Sequence, residues 1–259
     1  MTTEGVSAAH ARVRQTFATN AEAYVSSASH ASGGDLAILT ALIAPTREDR
    51  LLDVAAATGH TALRLRPLVA SATLVDLTPE MLEQARLAAA EKGLEIDTLV
   101  ADAAHIPLPD GSFTVVTCRR AAHHFPDVSA FLREAWRLLC PGGRLAVADM
   151  TADDVAISFL NDLERLRDGS HARALSPEAW RAALIAAGFE SVAMELHAED
   201  YALLRWLAPV KPEEVDMAAI YALIDGAAPG ERAALGLSQG ADGWHLTKHR
   251  VVALARRPY

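Results

Sequence analysis

Leu51-Leu52-Asp53-Val54-Ala55-Ala56-Ala57-Thr58-Gly59-His60 is the stretch on which the reading of this chain turns. An apolar run closes on an acid, three small residues follow, and a helix-forming segment begins. That order predicts a buried strand, a tight turn and a helix N-terminus. Small side chains at such a turn let backbone approach a ligand, and the first amides of the helix offer unpaired donors.

The same grammar recurs downstream. Thr73-Leu74-Val75-Asp76 and Thr98-Leu99-Val100, the latter stopping at Asp102, are two more short apolar runs that end in acids. Three carboxylates at the ends of successive strands place a ligand site in the crevice of an open α/β sheet. Further strands are expected over Phe113–Cys118, Arg144–Asp149, Ser191–His197 and Trp244–Ala255, with helices over 35–43, 61–69, 79–92, 128–139, 153–167 and from Pro177 to Gly188. Two more helices, 201–209 and 213–227, are expected before the last strand. Asp35, Thr78 and Ser176 are candidate helix caps, with Pro79 and Pro177 at first helical positions. The expected fold is a doubly wound, Rossmann-like α/β sheet of seven strands. It is mostly parallel with an antiparallel last strand, has helices on both faces, and carries an N-terminal helical lid.

Asp53, Ala55, Ala57 and Gly59 stand where the class I S-adenosylmethionine-dependent methyltransferases carry Asp-x-Gly-x-Gly-x-Gly, and the chain resembles that family, in particular its quinone and small-molecule branch. Leu77-Thr78-Pro79-Glu80-Met81-Leu82, Pro107-Leu108-Pro109-Asp110-Gly111-Ser112-Phe113 and the Pro141-Gly142-Gly143 turn match it as well. Only Gly59 remains glycine in the first motif, and Ala57 is the main departure. If that position needs positive φ, a Cβ costs about 1–2 kcal/mol there. The resemblance is dense from Leu51 to Asp149 and loose beyond Met150.

What the resemblance implies is a single domain over 1–259, with an N-terminal helical lid over 1–45, a cofactor-binding core over 46–150 and substrate-side helices and last strands over 151–259. The cofactor would be S-adenosylmethionine, held by Tyr24, Asp53, Ala55, Ala57, Gly59, Asp76, Leu77, Asp102, Ala103 and Arg119. Asp76, about twenty residues beyond the first turn, is spaced to accept both ribose hydroxyls. Asp102 would receive the adenine amino group and the Ala103 amide a ring nitrogen, while Tyr24 would cover the methionine end. In Arg119-Arg120-Ala121-Ala122-His123-His124-Phe125, the two histidines are the candidate catalytic and substrate-contacting groups, joined by His30. Imidazoles titrate near pH 6.5 and can take a proton at neutral pH.

Hydrophobic residues make up 51% of the 259, enough for a full core. The net charge of −9 and the absence of a basic block disfavour nucleic acid as partner. The two cysteines, Cys118 and Cys140, lie in no metal or redox spacing and suit a reducing compartment. The first nineteen residues lack the apolar core of a secretion signal, and the apolar run 36–44 is shorter than a membrane span. The expectation is a cytoplasmic protein with a small-molecule substrate, no metal and no stable membrane insertion, and with a homodimer left open.

The activity expected from these residues is methyl transfer to a small apolar or aromatic molecule at oxygen or carbon. The alternative is a non-methylating protein on the same fold, a cyclase, an isomerase or a ligand-binding protein, which Ala57 favours. A dinucleotide-dependent oxidoreductase is disfavoured, because the glycine-rich pyrophosphate loop is missing.

Overall fold

The structure, a computed structural model, describes residues 8, 10–18, 33–208, 210 and 212–259. Residues 10–18 form helix α1. The chain then alternates strand and helix: α2 (Gly34–Ile43), β1 (Arg50–Val54), α3 (His60–Leu65), β2 (Ser71–Asp76), α4 (Pro79–Glu91), β3 (Asp97–Val100), β4 (Phe113–Arg119), α5 (Val128–Leu138) and β5 (Leu139–Thr151). Beyond it come α6 (Ile157–Arg167), α7 (Pro177–Ala186), β6 (Glu190–Ala202), α8 (Leu203–Leu207), α9 (Met217–Asp225), α10 (Pro229–Ala234), β7 (Ser238–Gly240) and β8 (Gly243–Arg256).

The strands run in the order β3-β2-β1-β4-β5-β8-β6, with β7 paired to β8 off that path. β1 to β5 are mutually parallel, and β8 is antiparallel to both of its neighbours, β5 and β6. This is the doubly wound sheet expected, with one short extra strand. Its order reverses beside β1, so β1 and β4 diverge into separate connections and leave a crevice at their carboxyl ends.

Alternation along the strands decides which core each side chain joins. Leu52, Val54, Val116, Cys118, Leu145 and Val147 pack with Phe131, Leu132, Trp180 and Leu184 of α5 and α7. Their sequence neighbours Leu51, Val115, Ala146 and Ala148 pack with Leu39, Ala62, Leu65, Leu82 and Ala85 of α2, α3 and α4. Helices therefore cover both faces. A third cluster, built on Phe159, Leu163, Trp206, Ile220 and Ile224, fills the space beyond β5 and β8.

Several local readings change. Asp35 is not the cap of α2; Gly33 is, and Asp35 lies buried in the first turn. Two arginines take its carboxylate, an ion pairing that local cap logic cannot foresee. Thr78 occupies the cap position of α4, but its hydroxyl makes no cap bond. Ser176 does cap α7, its hydroxyl accepting from the Ala179 amide at 3.2 Å. Pro141-Gly142-Gly143 is absorbed into β5, whose register with β4 is irregular at its start. β6 runs five residues past His197, because β8 supplies a ladder as far as Ala202 opposite His245. The helices before the last strand are shorter than expected, and α10 was not anticipated.

Gly59 has φ 81°, and a Cβ there would lie 3.0 Å from Leu74 Cδ2 and 3.1 Å from Ala85 Cβ. Glycine is thus required where β2 and α4 close on the turn. Gly59→Ala adds left-handed strain to overpacking, and thermal unfolding should show a loss of about 2–4 kcal/mol.

Candidate active site

The cradle begins at the end of β1. Ala55 and Ala57 have φ values of 53° and 48°, so both positions adopt the left-handed conformation that favours glycine. The turn holds this shape through backbone bonds from Ala56 N–H to the Val75 carbonyl (3.0 Å) and from Gly59 N–H to the Ala56 carbonyl (2.8 Å). The Asp76 carboxylate reinforces it, accepting from Ala57 N–H and from Thr78 N–H, each at 2.8 Å. Burial pushes the Asp76 carboxyl above its usual range, against those backbone bonds.

A cavity of about 310 Å³ opens over this turn, within the size class of small-molecule sites. Ala55, Ala57, Asp76, Leu77, Asp102 and Ala103 line it at one end, and Arg119, His124 and Phe125 at the other. His10, Val13 and Phe17, all on one face of α1, cover it between. His10 Nε2 lies 3.6 Å from Asp102 Oδ2, and the Phe17 ring meets the His124 ring edge-on at 5.1 Å. Asp102 is itself fixed by the Ala104 amide at 2.9 Å.

Two expected cofactor residues stand behind this wall and do not line the cavity. Asp53 is buried, accepting from the Thr117 hydroxyl at 2.7 Å and the Ala62 amide at 3.2 Å. It pins β1 to β4 and α3, and burial pushes its carboxyl up to about 7. Gly59 packs against Leu74 and Ala85, as described above. Tyr24 and His30 lie outside the described residues. Arg119 lines the cavity with its guanidinium clamped on Asp35 (2.8 and 2.9 Å), and Arg120 grips the same carboxylate from its other side. Burial pushes Asp35 up, but the hydrogen bonds from Arg120 and Arg119 prevail and hold it well below the carboxylate range.

The histidines are arranged by partners that the sequence did not point to. His123 is buried, its Nδ1 2.5 Å from Asp149 Oδ1 and its amide donating to Asp149 Oδ2 at 2.8 Å. Asp149 stays ionised: burial opposes this, but His123 holds its carboxyl below the usual value. An ionised carboxylate only accepts, so His123 Nδ1 carries a proton and Nε2 is its reactive nitrogen. His124 Nδ1 faces the Ser170 carbonyl (3.2 Å) and the Ser170 hydroxyl (3.1 Å), whose own proton goes to Asp168. Both groups accept, so Nδ1 is protonated here too. Burial, followed by the neighbouring His123, pushes His124 down to about 3, so it is neutral at physiological pH. The two rings are 4.1 Å apart.

Sequence reading missed Asp149, Asp168, Ser170 and His171. Asp149 had been placed at a strand end, with the same signal as the three earlier acids, while the 168–171 loop carries no periodic pattern at all. Among the described residues no group of three or more His, Cys, Asp or Glu side chains could hold a metal ion, and no helix is long and apolar enough to cross a membrane.

Residues 52–147 match the family described as methyltransferase domain. The uncharacterized methyltransferase YcgJ of Bacillus subtilis (strain 168) is 43% identical over 169 residues, which cover 64% of this chain and 67% of that protein. Its crystal structure superposes with a TM-score of 0.82 at 29% identity, over 88% of this chain and 100% of YcgJ. A putative methyltransferase from Bacillus halodurans C-125 gives 0.81 at 30% identity, with the same two coverages of 88% and 100%. The demethylmenaquinone methyltransferase of Thermus thermophilus is 43% identical over 102 residues, a match spanning 39% of this chain and only 46% of that enzyme.

The neutral histidines set an acid limit on stability. Below about pH 6.5 the unfolded chain protonates His124, whereas the folded protein does not until about pH 3, so stability falls as pH drops through that window. Asp53 acts in the opposite sense, retaining a proton up to about pH 7 that the unfolded chain has released, and it cancels in a difference. Urea unfolding at pH 7.5 and 5.5 should therefore show the wild type losing on the order of 1 kcal/mol more than His124→Gln.

Proposed function

This chain belongs to the class I S-adenosylmethionine-dependent methyltransferases, and on that premise we propose that it methylates a small apolar or aromatic molecule at a hydroxyl oxygen or an activated carbon. The observation that carries the proposal is the wall of the acceptor end: an aromatic ring from α1, Phe17, meets a neutral, cavity-facing imidazole, His124, with Phe125 beside it. Such a surface accepts a flat apolar body and one hydrogen-bond donor. A demethylmenaquinone methyltransferase among the relatives supports the same class of acceptor.

The cradle fits the cofactor. Asp76 gives each oxygen to one backbone amide and keeps a further lone pair on each for the two ribose hydroxyls. In this proposal Asp102 and Ala103 would take the adenine edge, with Ala55, Ala57 and Leu77 lining the same cavity. Asp53 and Gly59 contribute by shaping the turn. Arg119, held by Asp35, offers its charge at the far end of the cavity.

S-adenosylmethionine supplies a methyl group already activated on a sulfonium, so the protein's work is to orient the acceptor, exclude water and receive a proton. α1 closes the cavity through His10, Val13 and Phe17. His124 is too weak a base to be the final proton acceptor at neutral pH, and in this proposal its Nε2 orients the acceptor's hydroxyl. In this proposal His123, which stands behind His124 and does not line the cavity, is the group that finally holds the proton: Asp149 keeps its Nδ1 protonated and would balance the charge on the ring.

The second reading, a non-methylating protein, rests on the Cβ of Ala57 at φ 48°. Calorimetric titration separates the two. Methyl transfer predicts micromolar S-adenosylmethionine binding by the wild type, with Ala57→Gly gaining up to about 1 kcal/mol of stability from released backbone strain. Binding that appears only in Ala57→Gly would transfer the case to the second reading.

In steady-state assays with a hydroxylated aromatic acceptor, Asp149→Asn should lower kcat by about 100-fold or more, with the cofactor Kd unchanged within about twofold. Asp76→Ala should instead weaken cofactor binding by about 10- to 100-fold.

A further inference from the structure

At the end of β4 two consecutive arginines bond one carboxylate. Arg119 and Arg120 each donate two hydrogen bonds to Asp35, at 2.7 to 2.9 Å, and Asp35 is fully buried. Neighbours in extended backbone point to opposite faces of a sheet, so a strand by itself cannot send both side chains to the same acid. The chain does so by leaving the strand: Arg120 takes φ 55°, while its amide still donates to the Ala148 carbonyl at 2.6 Å. Left-handed backbone is costly for a residue with a Cβ, and glycine would sit there without strain. Strain of this kind persists where it positions something.

What it positions is a guanidinium with one nitrogen open. Arg120 spends Nε and Nη2 on Asp35, and its Nη1 has no hydrogen-bond partner among the described residues. The buried side-chain atoms left without a partner among those residues are Thr78 Oγ1, His171 Nδ1, Trp180 Nε1 and His197 Nε2. Arg120 Nη1 is not one of them, so it keeps accessible surface, and Arg120 lines the cavity.

The charge at this place is uneven. Among the described residues the Asp35 carboxylate is shared by two guanidiniums, and Glu199 is engaged by Arg250 at 2.9 Å. Burial pulls the Arg120 guanidinium below its usual value; Asp35 opposes this, and the like charges of Arg119 and Arg250 add to it. The acids on the cavity wall are bonded elsewhere: Asp76 to the Ala57 and Thr78 amides, Asp102 to the Ala104 amide and His10, and Asp127 to the Ala130 amide. A cation that faces a mostly apolar cavity and shares its counterion calls for an anion from the ligand.

We propose that Arg120 Nη1 receives an ionised carboxylate oxygen of the molecule that fills the acceptor end of the cavity, so that this end reads an aromatic acid, with its hydroxyl at His124 and its carboxylate at Arg120. One open nitrogen gives one charge-assisted contact to one oxygen; the two-pronged edge of the guanidinium is already on Asp35. That this molecule is the methyl acceptor rests on the proposed methyl transfer. S-adenosylmethionine also brings a carboxylate, at its amino-acid end, and the experiment separates the two sources.

The test reads binding, by calorimetric titration with and without S-adenosylhomocysteine, using 6-hydroxy-2-naphthoate and its neutral amide, 6-hydroxy-2-naphthamide. The wild type should bind the acid about tenfold more tightly than the amide. Arg120→Gln should bring the two within about twofold, and so should Arg120→Gly, which relaxes the left-handed turn and keeps the fold; Arg120→Lys should retain part of the preference. A second arm compares S-adenosylhomocysteine with 5′-methylthioadenosine, which lacks the carboxylate, and the ratio of their affinities should change by less than about twofold in Arg120→Gln. A wild type indifferent to the charge, a preference that survives in folded Arg120→Gln and Arg120→Gly, or a loss confined to S-adenosylhomocysteine would each overturn the proposal, the last by assigning Arg120 to the cofactor. If the preference behaves as expected and no probe is methylated, the carboxylate site stands and the methyl-transfer reading is what fails.

Discussion

One carboxylate holds the two loops on which the site depends. Asp76, at the end of β2, accepts from Ala57 N–H in the β1–α3 turn and from Thr78 N–H at the start of α4. The turn it grips carries alanine twice in left-handed backbone, at a combined cost of a few kcal/mol that a free loop would escape by relaxing. Two backbone bonds donated to a buried carboxyl group, together with the Val75 carbonyl on Ala56, are what keep that turn in place. Gly59 completes the arrangement as the residue at which strand, turn and helix come too close for a side chain.

At the other end of the cavity the governing constraint is dryness. His124 and His171 are held neutral by burial, and Asp149 remains ionised beside His123. Each imidazole is oriented by an acceptor, so its tautomer follows from its neighbours. The division suits the proposed methyl transfer, in which acids and small residues would face the cofactor and His124 with its aromatic neighbours would face the acceptor. The histidines also couple the site to stability, because a fold that keeps imidazoles neutral weakens as the medium acidifies.

The site was legible in the sequence to different depths. Asp76, Leu77, Asp102 and Ala103 could be read because each follows an apolar strand directly, and parallel strands deliver their ends to one edge of the sheet. Asp53 has the same signal, yet its side chain faces Thr117 and the helix start; alternation along β1 sets that direction. Asp149 was visible as a strand-end acid, but not as the partner of His123, since the two are 26 positions apart. His171 and its hydrogen-bond partner Asn161 were invisible: a loop histidine has no periodicity, and its meaning comes only from the atoms around it.

Local sequence determined the order of strands and helices, their polar ends, the turn that needs small residues, and the adjacent histidines after β4, because these depend on hydrophobic period, caps and backbone sterics within a few residues. Tertiary structure alone decided that Ala57 takes positive φ, that Asp35 joins two arginines, that three imidazoles gather side by side, and which nitrogen of each carries its proton. Those properties depend on contacts between residues far apart in the chain, and on the burial that makes each such contact cost or stabilise.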